Sequence, residues 1–132
     1  MVSPISIARS NMILYCARPR EVTDFYRDVL GLEEVFANDW FTEFRLTDHS
    51  FLSVADASRT SITPARGHGI TITLLVDDVV SARATLVERL DDVGALERRW
   101  GALGFYVHDP EGHRIEIWAP ASGGPGGNDA GL

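Results

Sequence analysis

Glu116 stands between Ile115 and Ile117 in the run Arg114 to Trp118, and it is the residue whose type and setting best suit proton transfer or the grip on a ligand. On an open face the same carboxylate is solvated or paired with an Arg, so its chemistry depends on what faces it. Three histidines, His68, His108 and His113, have the right donor atoms for a metal. Two of them flank the Asp109-Pro110-Glu111-Gly112 turn and the third lies between glycines, which favours structural or solvated roles. Cys16 is the single cysteine and has neither a His nor a cation directly beside it in sequence, so it reads as an inert core thiol. Five aromatic residues, Tyr15, Trp40, Trp100, Phe105 and Trp118, either fill the core or form a stacking surface for a flat ligand.

These residues are positioned by a repeat. Residues 11–16 (NMILYC) read as a strand, and residues 20–30 place Val22, Phe25, Tyr26, Val29 and Leu30 on one helical stripe that Gly31 can cap. From residue 70 the unit recurs: ITITLLV is a strand, Asp78 can cap a helix, and Val79, Ala82, Leu86, Val87 and Leu90 form its stripe towards Gly94. Three strand-like runs follow each helix, 32–36, 40–46 and 51–54 in the first half and roughly 96–100, 105–108 and 114–118 in the second. Each half reads βαβββ, which makes the chain α+β. The modules span about 11–55 and 70–118, with a connecting loop at 56–69 that contains Pro64, Gly67 and Gly69. The segment 119–132, rich in Gly, Pro and small residues, is expected to be a disordered tail after a single domain over 1–118.

Strand alternation then sorts the side chains. Met12, Leu14 and Cys16, with Ile72, Leu74 and Val76, are uniformly apolar and should meet the helices. The opposite face carries Asn11, Ile13 and Tyr15 from one half and Thr71, Thr73 and Leu75 from the other, joined by Glu116 and Trp118 from the last strand. Phe105 is placed with them on a guessed register. This mixed face suits a partly solvated concave surface.

Composition narrows the functional classes. The 132 residues suit one domain, and 45% hydrophobic with 23% charged residues suffice for a core. A net charge of −7 repels phosphate backbones and anionic membrane surfaces, so nucleic acid and membrane are not expected partners. One cysteine allows no internal disulfide, the start lacks an export pattern, and no run approaches a membrane span; a soluble cytoplasmic protein is expected.

Four segments, DFYRDVLGL (24–32), LLVDDV (74–79), WG (100–101) and FYVHDPEGHRIEIW (105–118), resemble the vicinal oxygen chelate superfamily, which includes glyoxalase I, extradiol dioxygenases, fosfomycin-modifying enzymes and bleomycin-binding proteins. The likeness covers residues 11–118. It implies that the two βαβββ modules curl mixed sheets into a half-barrel cup, with helices on the outer face and the ligand on the inner one. It also implies four inward ligand positions in the metal-dependent members, which fall here on Asn11, on Leu52 or Ser53, on Thr71 and on Glu116. Only Glu116 is a competent donor, so no metal and no other cofactor is expected, and the chain is closer in character to the bleomycin-binding branch. The reading that follows is a homodimer that binds a planar or partly apolar, antibiotic-like small molecule. Its site would comprise Asn11, Ile13, Tyr15, Trp40, Thr71, Thr73, Trp100, Phe105, Glu116 and Trp118. The alternative is a lyase, isomerase or biosynthetic enzyme acting on a carbonyl-bearing substrate, with Glu116 as general base or as ligand of a divalent metal ion.

Overall fold

The computed structural model describes residues 4–121, which divide into two compact units, one up to Arg66 and one from Gly67. In the first unit β1 (Ser10–Cys16) leads into α1 (Pro19–Asp24), followed by β2 (Glu33–Ala37), β3 (Phe41–Thr47) and β4 (Ser50–Asp56). Pro19 opens α1 at a position where the missing N–H is lost from no hydrogen bond, and Glu21 complements the helix dipole. The expected helical stripe does not continue as α-helix. Phe25–Val29 form a π-helical turn, which buries Phe25 and Tyr26 together but leaves Val29 and Leu30 half-buried. Gly31, at φ +74°, ends it as expected.

The sheet order β1-β4-β3-β2 is mixed: β4 runs parallel to β1 and antiparallel to β3. On the helix-bearing side Leu14, Cys16, Phe44, Leu52 and Val54 are buried with Val22 and Tyr26. Met12 points the same way but is 42% exposed, because β1 is an edge strand with a neighbour on one side only. The connecting segment is more ordered than its composition suggests: β4 extends to Asp56, whose side chain then caps a short 3-10 turn over Ala57–Arg59.

The second unit repeats the plan with β5 (Thr71–Leu75), α2 (Val79–Val87), β6 (Glu97–Arg99), β7 (Ala102–His108) and β8 (Arg114–Pro120), in the order β5-β8-β7-β6. The α+β class and the two βαβββ modules are thus as expected, and each sheet keeps open edges. Asp78 caps α2, its Oδ1 accepting from Ser81 N–H at 3.0 Å. Asp78→Ala should therefore cost about 0.5–2 kcal/mol of stability, read from urea unfolding. Val79 and Leu86 bury the helix face, whereas Val87, expected on the stripe, is 49% exposed. Ala119 and Pro120, expected in the tail, belong to β8; residues 122–132 of that segment lie outside the described residues.

Around the Asp109–Gly112 turn, Asp109 is the organising residue. Its Oδ1 accepts from the backbone N–H groups of Glu111 and His113, and its Oδ2 lies 2.7 Å from His113 Nδ1, with both side chains buried. His113 is a structural histidine.

Candidate functional site

Three strands of the second unit bring Thr73, Glu116 and Tyr106 side by side, and on the next rung of the same face Leu75, Trp118 and Gly104. Glycine at 104 makes the arrangement possible: a Cβ there would lie 2.9 Å from Trp118 Cβ, so the indole has room only because residue 104 has no side chain. Trp118 and Glu116 then wall a recess of about 240 Å³ with Tyr106, Glu97, Arg99 and Trp100. Among the described residues, Trp118 Nε1 is the only buried side-chain nitrogen or oxygen with no hydrogen-bond partner. An unsatisfied buried donor costs about 1–3 kcal/mol.

The hairpin of β6 and β7 forms one side of this recess. Its two-residue turn is Trp100-Gly101, both at positive φ, +50° and +73°. An aromatic residue in that region is strained by about 1–3 kcal/mol, and Trp100 is nonetheless 63% exposed while lining the recess. Arg99 hydrogen-bonds Glu97, and that carboxylate raises the guanidinium's pKa, so the rim carries a fixed cation beside its partner.

The structure places two of the expected ligand residues away from this face. Phe105 pairs with Ile117, not with Glu116, and is 1% exposed, so it belongs to the core. Tyr106 takes the place expected for it. The sequence could not decide between them because β7 begins at Ala102, earlier than its apolar run suggests. Trp40, the residue before β3, lines a different recess of about 430 Å³ with Pro19, Arg20 and Thr23 of α1, and so lies on the helix-bearing side.

In the first unit the open face carries Asn11, Ile13 and Tyr15 as expected, in register with Phe51, Ser53 and Ala55 of β4. Of the two alternatives at the end of that module, Ser53 shares the face and Leu52 is buried on the other side. Ser53 Oγ donates to Asn11 Oδ1 at 2.9 Å. Glu43 lies beside Ser53 and pairs with Arg9, whose guanidinium stacks 3.7 Å above the Phe51 ring. Glu43 was legible: FTEFRLT alternates Phe41, Glu43 and Arg45 against Thr42, Phe44 and Leu46.

The donors do not suit a transition metal. At the four expected ligand positions the first unit offers an amide oxygen already engaged by the Ser53 hydroxyl, the second a threonine hydroxyl and one carboxylate, and among the described residues no three His, Cys, Asp or Glu side chains are grouped to hold an ion. Nor, among these residues, is any helix long and apolar enough to cross a membrane.

Several solved structures share the fold. Lactoylglutathione lyase from Agrobacterium tumefaciens superposes with a TM-score of 0.69 at 22% identity, over 89% of this chain and 95% of that one. A glyoxalase/bleomycin resistance protein/dioxygenase from Nocardioides gives 0.69 at 20% identity, over 94% and 89%. A glyoxalase/bleomycin resistance protein from Streptomyces sp. CB03234 gives 0.65 at 18%, over 83% and 97%. At these identities the likeness is one of fold, and no curated protein matches the chain. The family model for the glyoxalase, bleomycin resistance protein and dioxygenase proteins matches residues 8–117, nearly the whole of both βαβββ units, and the chain belongs to that superfamily.

Proposed function

We propose that this protein binds and sequesters a planar, partly apolar, antibiotic-like small molecule against the Trp118 face of its second unit. The observation that carries the reading is the Trp118 side chain, which walls a recess with Glu116 and Tyr106 and whose Nε1 is buried without a hydrogen-bond partner. A small turn of the indole that brings Nε1 to a ligand acceptor would offset the donor's desolvation, and the aromatic side chains would stack on the ligand's flat part. At about 240 Å³ the recess is smaller than the usual ligand pocket of about 300–1,000 Å³, which suits one ring system of a larger molecule.

Glu116 sets the polarity: with Glu97 and Arg99 on the same wall, the recess has more negative than positive groups, favouring a cationic or hydrogen-bond-donating ligand. Calorimetric titration of hits from a thermal-shift screen of aromatic natural products tests this. Glu116→Gln should weaken cationic ligands more than neutral ones, and equal affinities for parent and variant would refute the site. A second reading is supported by the register of Tyr106 with Glu116, a phenol and a carboxylate side by side, which suits proton transfer in a lyase or isomerase. Turnover of a carbonyl-bearing substrate that Glu116→Gln abolishes would favour it.

The reading includes no resident metal, on the chemistry of the donor set. It also includes a cytoplasmic homodimer: the lone cysteine suits a reducing compartment, and the open sheet edges invite pairing about a two-fold axis. Native mass spectrometry of dialysed protein should give a mass near twice 14.5 kDa with no bound metal. A monomer, or one equivalent of metal, would overturn the corresponding part.

A further inference from the structure

At the end of β8 away from Trp118, the rung formed by Thr71, Arg114 and His108 opens onto a second recess, of about 370 Å³. Its walls are completed by Gly67, Gly69, Ile70 and Gly112, and none of its lining residues lines the Trp118 recess. No Asp or Glu lines it, in a chain of net charge −7. Arg114 is held in place on two sides: Nε donates to Thr71 Oγ1 at 2.9 Å, and the guanidinium lies 4.6 Å from the centre of the Tyr106 ring. That geometry leaves the two Nη groups as donors. Because Thr71 Oγ1 accepts from Arg114, its own proton remains to be donated. His108 offers a ring N–H in either tautomer. The floor is rigid, since Gly67 packs so closely on Gly112 that a Cβ at 67 would fall 2.2 Å from the Gly112 carbonyl oxygen.

From this donor array we infer a binding subsite for a small oxyanion, a phosphate or carboxylate group, gripped by Arg114, Thr71 and His108. A planar guanidinium with a neighbouring hydroxyl matches two oxygens of such a group, and glycine on the walls admits it close to the backbone. The subsite stands on its own residues and does not depend on occupation of the Trp118 recess.

The test is a titration of the full chain with inorganic phosphate, and separately with acetate, at constant ionic strength in chloride. Amide shifts of Gly67, Gly69, Ile70 and Gly112 are followed by NMR. Saturable shifts confined to these amides are expected, with the Trp118 indole N–H resonance unmoved, and the tighter of the two anions identifies the group. Arg114→Gln should weaken binding about tenfold or more, the effect of losing a charge-assisted contact. Thr71→Val, which keeps the guanidinium, should weaken it by a smaller factor and serves if the first variant does not fold. Linear or absent shifts with both anions, or affinities unchanged in the folded variants, overturn the inference. Movement of the Trp118 indole with the same midpoint would overturn the separation of the two sites.

Discussion

Trp118→Ala is expected to weaken ligand binding by about ten- to a thousandfold while the protein stays folded. Three overlapping losses, together smaller than their sum, set that range. Burial of the indole against a ligand is worth about 1.5–3 kcal/mol, stacking about 0.5–1.5 beyond burial, and one neutral hydrogen bond about 0.5–1.5, not fully additive. At about 1.4 kcal/mol per decade, a net loss of roughly 1.4–4 kcal/mol is one to three orders of magnitude. The variant Trp118→Phe separates the parts. It keeps an aromatic face and removes a buried donor that has no partner among the described residues, so the free protein should unfold at higher urea while binding falls only about three- to tenfold. Calorimetry and urea unfolding on the same preparations check both. A Trp118→Ala protein that is folded and binds like the parent would place the ligand elsewhere.

Phe105→Ala should act in the opposite sense, destabilising by about 3–5 kcal/mol, as expected of a large side chain removed from a core that cannot collapse around the gap. Phe105 is 1% exposed and in register with the buried Ile117, so its deletion opens a cavity on the helix-bearing side of the sheet. Binding measured well below the unfolding transition should be unchanged. Loss of affinity with little loss of stability would return Phe105 to the ligand face. The neighbouring residues 105 and 106 thus have separable roles, which urea unfolding and calorimetry distinguish.

Much of the architecture was legible because it depends on local chemistry. The two strand–helix openings, the Asp78 cap, the Gly31 terminus and the Asp109–Gly112 turn are each specified by residues within a few positions of one another. Alternation likewise placed Asn11, Tyr15, Thr73, Glu116 and Trp118 correctly on the face away from the helices, because successive side chains of a strand must point to opposite sides. The Phe25–Val29 turn was not legible as a π-helix, since the same apolar spacing fits an α-helix equally well.

What alternation within one strand cannot supply is the register between strands, and there the tertiary structure decided. A shift of one residue exchanges the faces of a whole strand, so whether Phe105 or Tyr106 stands beside Glu116, and whether Ser53 or Leu52 stands beside Ile13, is set by hydrogen bonds between segments far apart in the chain. The same holds for the space around Trp118, which depends on a glycine from another strand, and for the assembly of Thr71, His108 and Arg114 into one carboxylate-free recess. The sequence by itself determined the two βαβββ modules and which side of each first strand meets the helix. Only the tertiary structure decided which side chains share a rung, because rung partners come from long-range pairing that no local pattern encodes.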